Sequence, residues 1–233
     1  MYNMIYFYLL IFYMIIFISI EFLLKDLQGK YYFNHCIANS IVTYLTVNDV
    51  YLTYTNLPNF SKYTINYHAV SIIFALHFYH IIIYFKKLRF DDWLHHIIMI
   101  FCALPLALIS NCGFLLGHSL FFLNGLPGAI DYFLLFLTRN NVLDTLFEKK
   151  INNYINLWLR CPGCIAHSAL SIAAFMCEVD SEFIYVSNNI KYINKDYISC
   201  FLTALSTYWN GIYFMNQVVV NYNLQKQKKL ILQ

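Results

Sequence analysis

Apolar residues follow one another along this chain in long runs, which shorter polar segments separate. The first run, Met4 to Leu24, is 21 residues long and contains one charge, Glu21. Roughly 20 apolar residues in a helix cross the hydrocarbon core of a bilayer, and a helix satisfies its own backbone hydrogen bonds in lipid. The pattern therefore predicts seven transmembrane helices, with spans at 3–24, 36–55, 67–85, 94–110, 113–138, 152–178 and 197–222. The second span carries Asn39, Asn48 and Asp49, so it also fits a buried interior helix.

The composition indicates the same class of protein. The 233 residues are 60% hydrophobic and only 12% charged, a balance that a soluble domain of this length could not bury. We therefore expect an all-α, polytopic membrane bundle with three parts: an N-terminal span and loop at 1–30, a helical membrane domain at 31–222 and a basic tail at 223–233. The first run lacks the basic start and the cleavage pattern of a signal peptide, so we expect it to remain a span. The net charge of +3 is too small to indicate a nucleic acid partner.

Basic residues predict the orientation of the spans, because Lys and Arg collect in the cytoplasmic loops of membrane proteins. With seven spans, one side of the membrane receives only Lys62, Lys191 and Lys195. The other side receives eleven basic residues: Lys25, Lys30, Lys86, Lys87, Arg89, Arg139, Lys149, Lys150, Lys226, Lys228 and Lys229. The distribution predicts an N-terminus in the lumen or outside the cell and a cytoplasmic C-terminus.

Ionisable side chains inside the predicted spans are the main functional candidates, because they are costly in lipid and usually face a bundle interior or a wet cavity. His77 and His80 are three residues apart and share a helix face. Each histidine alone also fits a packed side chain that donates to a carbonyl, whereas the whole set indicates a shared polar cavity. The set comprises Asp49, His77, His80, His95, His96, His118, Asp131 and His167.

The fifth predicted span is interrupted near its centre by Asn124, Gly125, Pro127 and Gly128. Proline removes a backbone donor and clashes with the preceding turn, and glycine lets the chain unwind. We expect a broken fifth helix whose freed backbone groups line the same cavity. A structural kink without a cavity is the alternative.

The segment FDDWLHHIIMIF, at 90–101, brings two acids and two adjacent histidines to the start of the fourth span. The predicted orientation places this segment at the cytoplasmic interface. Adjacent positions of a helix differ in direction by about 100°, so His95 and His96 do not point the same way into a cavity. One is suited to act as a base while the other pairs with a carboxylate, because imidazole accepts and returns a proton near neutral pH.

Four segments of the chain share a recognisable order: FNHCIANSIVTYL (33–45), ALHFYHIIIYFKKLRFDDWLHHIIMI (75–100), GHSLFFLNGLPGAIDYFLLFL (117–137) and LSTYWNGIYFMNQVV (205–219). Together they resemble the TLC-domain family of polytopic membrane proteins, which includes ceramide synthases, translocon-associated chain proteins and lipid-homeostasis proteins. The histidine pair after a charged interfacial loop is the most specific element. In ceramide synthases a threonine follows the pair and an acid follows a later histidine, whereas Met99 and Ser119 occupy those places here.

The resemblance implies a TLC-like fold in the endoplasmic reticulum or another endomembrane. It favours a protein that handles membrane lipids, by binding, homeostasis or trafficking, through a polar intramembrane cavity. In this interpretation the residues that contact the lipid are His77, His80, His118, Asn124 and Asp49.

The resemblance also implies an alternative, a membrane acyltransferase of the ceramide-synthase type that uses a fatty acyl thioester. His95 or His96 would be its general base, and Asp131 would orient the imidazole. Neither interpretation requires a metal or another cofactor, and a shared fold does not decide between them.

The seven cysteines (36, 102, 112, 161, 164, 177 and 200) lie mostly within or beside apolar runs, which is typical of buried thiols rather than a disulfide framework. The C-x-x-C spacing of RCPGC, at 160–164, raises a further alternative, a membrane thiol redox protein acting through Cys161 and Cys164. Pro162 and Gly163 equally fit the start or a kink of the sixth span. A channel or transporter would fit the broken helix, but the sequence shows no inverted repeat.

Overall fold

The structure is a computed structural model of the chain. It describes residues 2–231 apart from 104, 107–111, 183, 188, 189 and 194, and the side chains at 2–4, 91, 92, 95, 102, 103 and 177–199 lie outside the description. The α-helices are α1 (Tyr2–Leu23), α2 (Lys30–Thr55), α3 (Tyr67–Tyr84), α4 (Phe90–Ile97), α5 (Gly113–Leu120), α6 (Leu126–Arg139), α7 (Thr145–Ile155), α8 (Cys161–Glu182) and α9 (Lys195–Ile231).

Short irregular elements connect or extend these helices. The 3₁₀ turns Leu57–Lys62 and Phe85–Lys87 follow α2 and α3. The π-helical turn Ile98–Ala103 extends α4, while Phe121–Gly125 joins α5 to α6 and Asn156–Arg160 joins α7 to α8. Before α9, the strands β1 (Ile184–Ser187) and β2 (Ile190–Ile193) pair antiparallel, with Ile184 opposite Ile193.

Within the described residues, four helices are long and apolar enough to cross a membrane: Ile5–Leu23, Tyr67–Lys87, Gly113–Arg139 and Thr145–Met176. They correspond to the first, third, fifth and sixth predicted spans and support an integral membrane protein. The second and seventh predicted spans form the more polar helices α2 and α9. The fourth, 94–110, extends beyond the described residues. Four of the seven predicted spans therefore correspond to helices that are long and apolar enough to cross a membrane.

The outer surface of the bundle is apolar. Large side chains on several helices are mostly exposed, including Phe12 of α1 (56%), Tyr44 of α2 (80%) and Trp158 after α7 (76%). A monomeric soluble protein rarely exposes so many large apolar groups. The surface is therefore suited to contact with lipid.

The helix α2 contains polar side chains because it is the central helix of the bundle. It packs along α3, α5 and α6. Asn34, Asn39 and Thr46 are buried. Asn34 Nδ2 donates to the carbonyl oxygen of Phe17 at 3.0 Å, and Thr46 Oγ1 donates to that of Val42 at 2.7 Å. Protein rather than lipid accepts the hydrogens of Asn34 Nδ2 and Thr46 Oγ1, which explains the low hydropathy of α2.

The interruption in the fifth predicted span is a π-helical turn and not an unwound segment. The chain remains helical from Gly113 to Arg139, although Gly125 departs from helical geometry with a ψ of −106°. Pro127 lies in the first turn of α6, where its missing N–H costs little. The prediction of a fully broken helix is therefore corrected to a local widening between α5 and α6.

The predicted basic loops meet at one end of the bundle, which we call the basic end. Asn140 Nδ2 donates to the carbonyl oxygen of Gln28 at 2.8 Å, so the loop after α6 contacts the loop after α1. Glu21, near the end of α1, accepts a hydrogen bond from Tyr84 at the end of α3 and forms an ion pair with Lys30. The side of the membrane that this end faces stays a prediction.

Candidate functional site

Four histidines from three helices converge near the basic end and form what we call the imidazole cluster: His35 of α2, His77 and His80 of α3, and His96 of α4. All four are buried. The Nε2 of His96 lies 2.8 Å from the Nδ1 of His80. The ring centroid of His96 is 5.1 Å from that of His77, and the centroid of His35 is 5.8 Å from that of His80.

The hydrogen bonds of the imidazole cluster constrain where protons reside. His77 Nδ1 lies 2.7 Å from the carbonyl oxygen of Ile73, and a carbonyl only accepts, so this nitrogen carries a hydrogen. In the pair of His80 and His96 one nitrogen must donate while the other accepts. At least one ring of the pair is therefore neutral at the shared contact, and the pair is able to hold one proton between two rings.

Tyrosines enclose the imidazole cluster. The ring of Tyr31 lies 4.3 Å from both His35 and His80, measured between centroids, and Tyr132 of α6 stacks on His35 at 4.3 Å. Tyrosine supplies both an apolar face and a hydroxyl, so these contacts join α2, α3 and α6 around the imidazoles. The side chain of His95, the other member of the predicted pair, lies outside the described residues.

A second pair of histidines lies towards the opposite end. His118 of α5 and His167 of α8 are fully buried, and their rings stack with centroids 5.4 Å apart. The Nε2 of His118 lies 3.4 Å from the hydroxyl of Tyr54. Asp49 of α2 packs directly against Gly117, where a Cβ atom would overlap its carboxylate. Glycine at 117 therefore permits the close approach of α5 to α2.

Asp131 lies in a third place, with other charged residues. It interacts electrostatically with Glu148, Arg160 and Lys149. Glu148 is fully buried and forms an ion pair with Lys149 at 3.0 Å. Asn124, in the π-helical turn before α6, has a buried Nδ2 that contacts no acceptor. We call Asp131, Glu148, Lys149 and Arg160 the charged group. These residues connect α6 to α7 and to the turn that follows α7.

A groove runs between the end of α4, α5 and α9. Its volume is about 50 Å³, comparable to the share of about two water molecules in the liquid, so it accepts part of a chain and not a whole headgroup. The Oγ of Ser119 lies 2.9 Å from the Oγ1 of Thr207 at its wall. Its lining comprises Ile98, Met99, Leu116, Ser119, Leu120, Leu123, Thr203, Ser206, Thr207, Trp209 and Asn210.

The predicted site residues therefore occupy separate places. His77, His80 and His96 converge as expected of a shared polar site, but His118 stacks on His167, and Asp131 belongs to the charged group. Among the residues that the structure describes, no three His, Cys, Asp or Glu side chains have an arrangement that would hold a metal ion.

Sequence reasoning missed two residues of these groups. His35 follows Asn34 on the polar helix α2. Its position in the segment 33–45, one of the four that resemble the TLC-domain family, could have identified it. Glu148 reads as a surface charge beside Lys149 and Lys150, and nothing in the local sequence indicates that it is buried.

No family model matches the sequence, and neither curated proteins nor solved structures provide a match to this chain.

Proposed function

We propose that this is a TLC-like membrane protein that binds a membrane lipid and holds part of one acyl chain in the groove. The groove carries the proposal, because it combines apolar walls with hydroxyl and amide groups inside a bundle of membrane helices. Ligand sites typically combine mostly apolar walls with a few polar groups that set orientation. Lipid chains surround such a bundle and have the cross-section and polarity that a narrow apolar groove accepts.

One polar side chain in the wall indicates the kind of lipid. The Oδ1 of Asn210 is buried and has no donor within hydrogen-bond distance. A buried acceptor without a donor costs about 1–3 kcal/mol. A lipid with a hydroxyl or an amide N–H close to its chain would satisfy this atom, which favours lipids with an amide or free hydroxyl over lipids that only accept hydrogen bonds.

The resemblance to the TLC-domain family supports the same proposal. Three of the four segments that carry it contribute to the groove: 75–100 supplies Met99, 117–137 supplies Ser119, and 205–219 supplies Asn210. The fourth, 33–45, contains His35 of the imidazole cluster. Residues of all four segments therefore lie in the groove or in the imidazole cluster.

Lipid retention by the purified chain tests the proposal. Ser206→Phe adds a ring to the groove wall, whereas Leu205→Phe adds the same ring to a neighbouring side chain that is 46% exposed and outside the lining. We expect native mass spectrometry to show a bound lipid in the wild type and in Leu205→Phe. Ser206→Phe should retain at least several-fold less. Equal retention by all three proteins would contradict the proposal.

A second candidate function is acyl transfer from a fatty acyl thioester. The contact between His80 and His96 favours it, because at least one ring of this buried pair is neutral at the contact and a neutral imidazole is able to act as a general base. Met99, three positions after His96, lines the groove. A chain in the groove would therefore end close to the imidazole cluster. In this reaction an amine or alcohol attacks the thioester carbonyl and the imidazole takes the proton of the attacking group. The C–S bond then breaks, and the imidazolium returns the proton to the departing thiolate, which leaves as a thiol.

Turnover distinguishes the two functions. The protein in lipid nanodiscs would be incubated with a long-chain acyl thioester and a long-chain amine, and the amide product measured by mass spectrometry. For an acyltransferase, His96→Gln should lower the rate about 10²–10⁴-fold, while His68→Gln, whose ring contacts Tyr13 outside the cluster, should leave it unchanged. If the wild type retains lipid and forms no product, acyl transfer is rejected and lipid binding stands.

A further inference from the structure

Two cysteines that are far apart in the sequence meet inside the bundle. The Sγ of Cys112, just before α5, lies 3.0 Å from the Sγ of Cys200, in the first turns of α9. Both residues are buried, at 2% and 5% exposure. A disulfide requires two sulfurs at about 2.05 Å, with side chains directed at each other. The two thiols need to move about 1 Å to reach that distance.

The contact lies at the end of the bundle opposite the basic end. Gly113, next to Cys112, packs against the carbonyl oxygen of Phe60 in the connection between α2 and α3. The ring of Tyr63, in the same connection, lies 5.3 Å from that of Phe114. The basic loops lie at the other end of α2. If Lys and Arg mark the cytoplasmic face, both thiols lie at the lumenal or extracellular face, where disulfides form and persist.

We propose that Cys112 and Cys200 form a disulfide bond in the mature protein. The two thiols lose two protons and two electrons as the S–S bond forms. The electrons reduce a disulfide of an oxidoreductase or of glutathione to two thiols by thiol–disulfide exchange. Because both sulfurs become buried, the exchange takes place during folding, before α5 and α9 close over them.

The bond would fix two walls of the groove to each other. Leu116 and Thr203 line both the groove and the small void that Cys112 and Cys200 border. The bond would also close a chain segment that contains α5, α6, α7 and α8, so its loss would loosen a large part of the bundle. The inference does not depend on the lipid proposal, because it rests on the thiol contact and the end of the bundle where it lies.

Thiol counting in native membranes tests the proposal. The full chain would be expressed in cells with an endomembrane system. All free thiols, accessible and buried, would be blocked with N-ethylmaleimide in denaturant. The protein would then be reduced and its new thiols labelled with a maleimide of high mass. Reduction should reveal two new thiols in the wild type and in Cys36→Ser. It should reveal none in Cys112→Ser or Cys200→Ser. A wild type in which reduction reveals no thiol would overturn the proposal.

Peptide mapping keeps the test decisive if a serine variant fails to fold. A non-reduced digest of the wild type should contain one cross-linked species joining the peptide of Cys112 to the peptide of Cys200, and reduction should separate it. A cross-link between Cys161 and Cys164 instead would overturn the assignment. Lipid retention measured on the same preparation separates failure of this inference from failure of the proposed function.

Discussion

One buried carboxylate contributes to the attachment of α1 to the bundle. Glu21 is 7% exposed and accepts a hydrogen bond from Tyr79 at 2.6 Å and another from Tyr84 at 2.8 Å. Lys30 lies 3.2 Å away as an ion-pair partner. Only 11% of the apolar span Ile5–Leu23 in this helix is buried. These polar contacts therefore hold its last turns against α3.

Replacing Tyr79 with Phe removes one hydroxyl and leaves the ring in place. Tyr79 is fully buried, so water does not replace the lost donor. A hydrogen bond to a charged group contributes about 1.5–3 kcal/mol, and we expect Tyr79→Phe to lower the free energy of unfolding by that amount. Tyr84→Phe should cost less, because Tyr84 is only half-buried and water reaches its position.

Unfolding of the purified protein in mixed micelles, followed by circular dichroism as the denaturing detergent is increased, measures the effect. Tyr44→Phe is the matched control, because Tyr44 is 80% exposed and its hydroxyl makes no hydrogen bond within the described part of the chain. The double variant Tyr79→Phe/Tyr84→Phe should lose more than the sum of the single losses, since Glu21 would keep only Lys30. If Tyr79→Phe is as stable as Tyr44→Phe, Glu21 does not anchor α1.

Two further predictions concern packing and orientation. Gly163→Val places a side chain where Gly163 now meets the Phe122 ring. Overpacking of this kind should lower the free energy of unfolding by about 1–3 kcal/mol. The control Ala173→Val, on an exposed face of α8, should unfold at the same detergent fraction as the wild type. A glycosylation acceptor added at residue 230 should stay unmodified in the endoplasmic reticulum, whereas one inserted after Lys62 should be modified. Modification at residue 230 would reverse the predicted topology and place Cys112 and Cys200 in the cytoplasm.

Sequence patterns indicated which candidate residues share a helix face, but not which partners they meet. The spacing of His77 and His80 indicates a shared helix face, and both lie in the imidazole cluster with His96. Asp131 was expected to orient an imidazole, yet its charged neighbours include Glu148 of α7. A helix period reports which residues share a face, but it does not report which helix that face meets.

The cysteines illustrate the same limit. Their positions within apolar runs predict buried thiols, and Cys112, Cys164 and Cys200 are indeed buried. The contact between Cys112 and Cys200 joins positions 88 residues apart. No local pattern predicts it, because it arises only when α5 and α9 pack together.

The amino-acid sequence by itself determined the class of this protein. Long apolar runs are costly to expose to water and must form helices in lipid, so a local pattern is enough to predict a helical membrane bundle. The tertiary structure decided which polar groups meet. The cluster around His96, the environment of Glu148 and the groove beside Asn210 each depend on side chains from different helices. Their proximity follows from packing between helices, which local hydropathy does not specify.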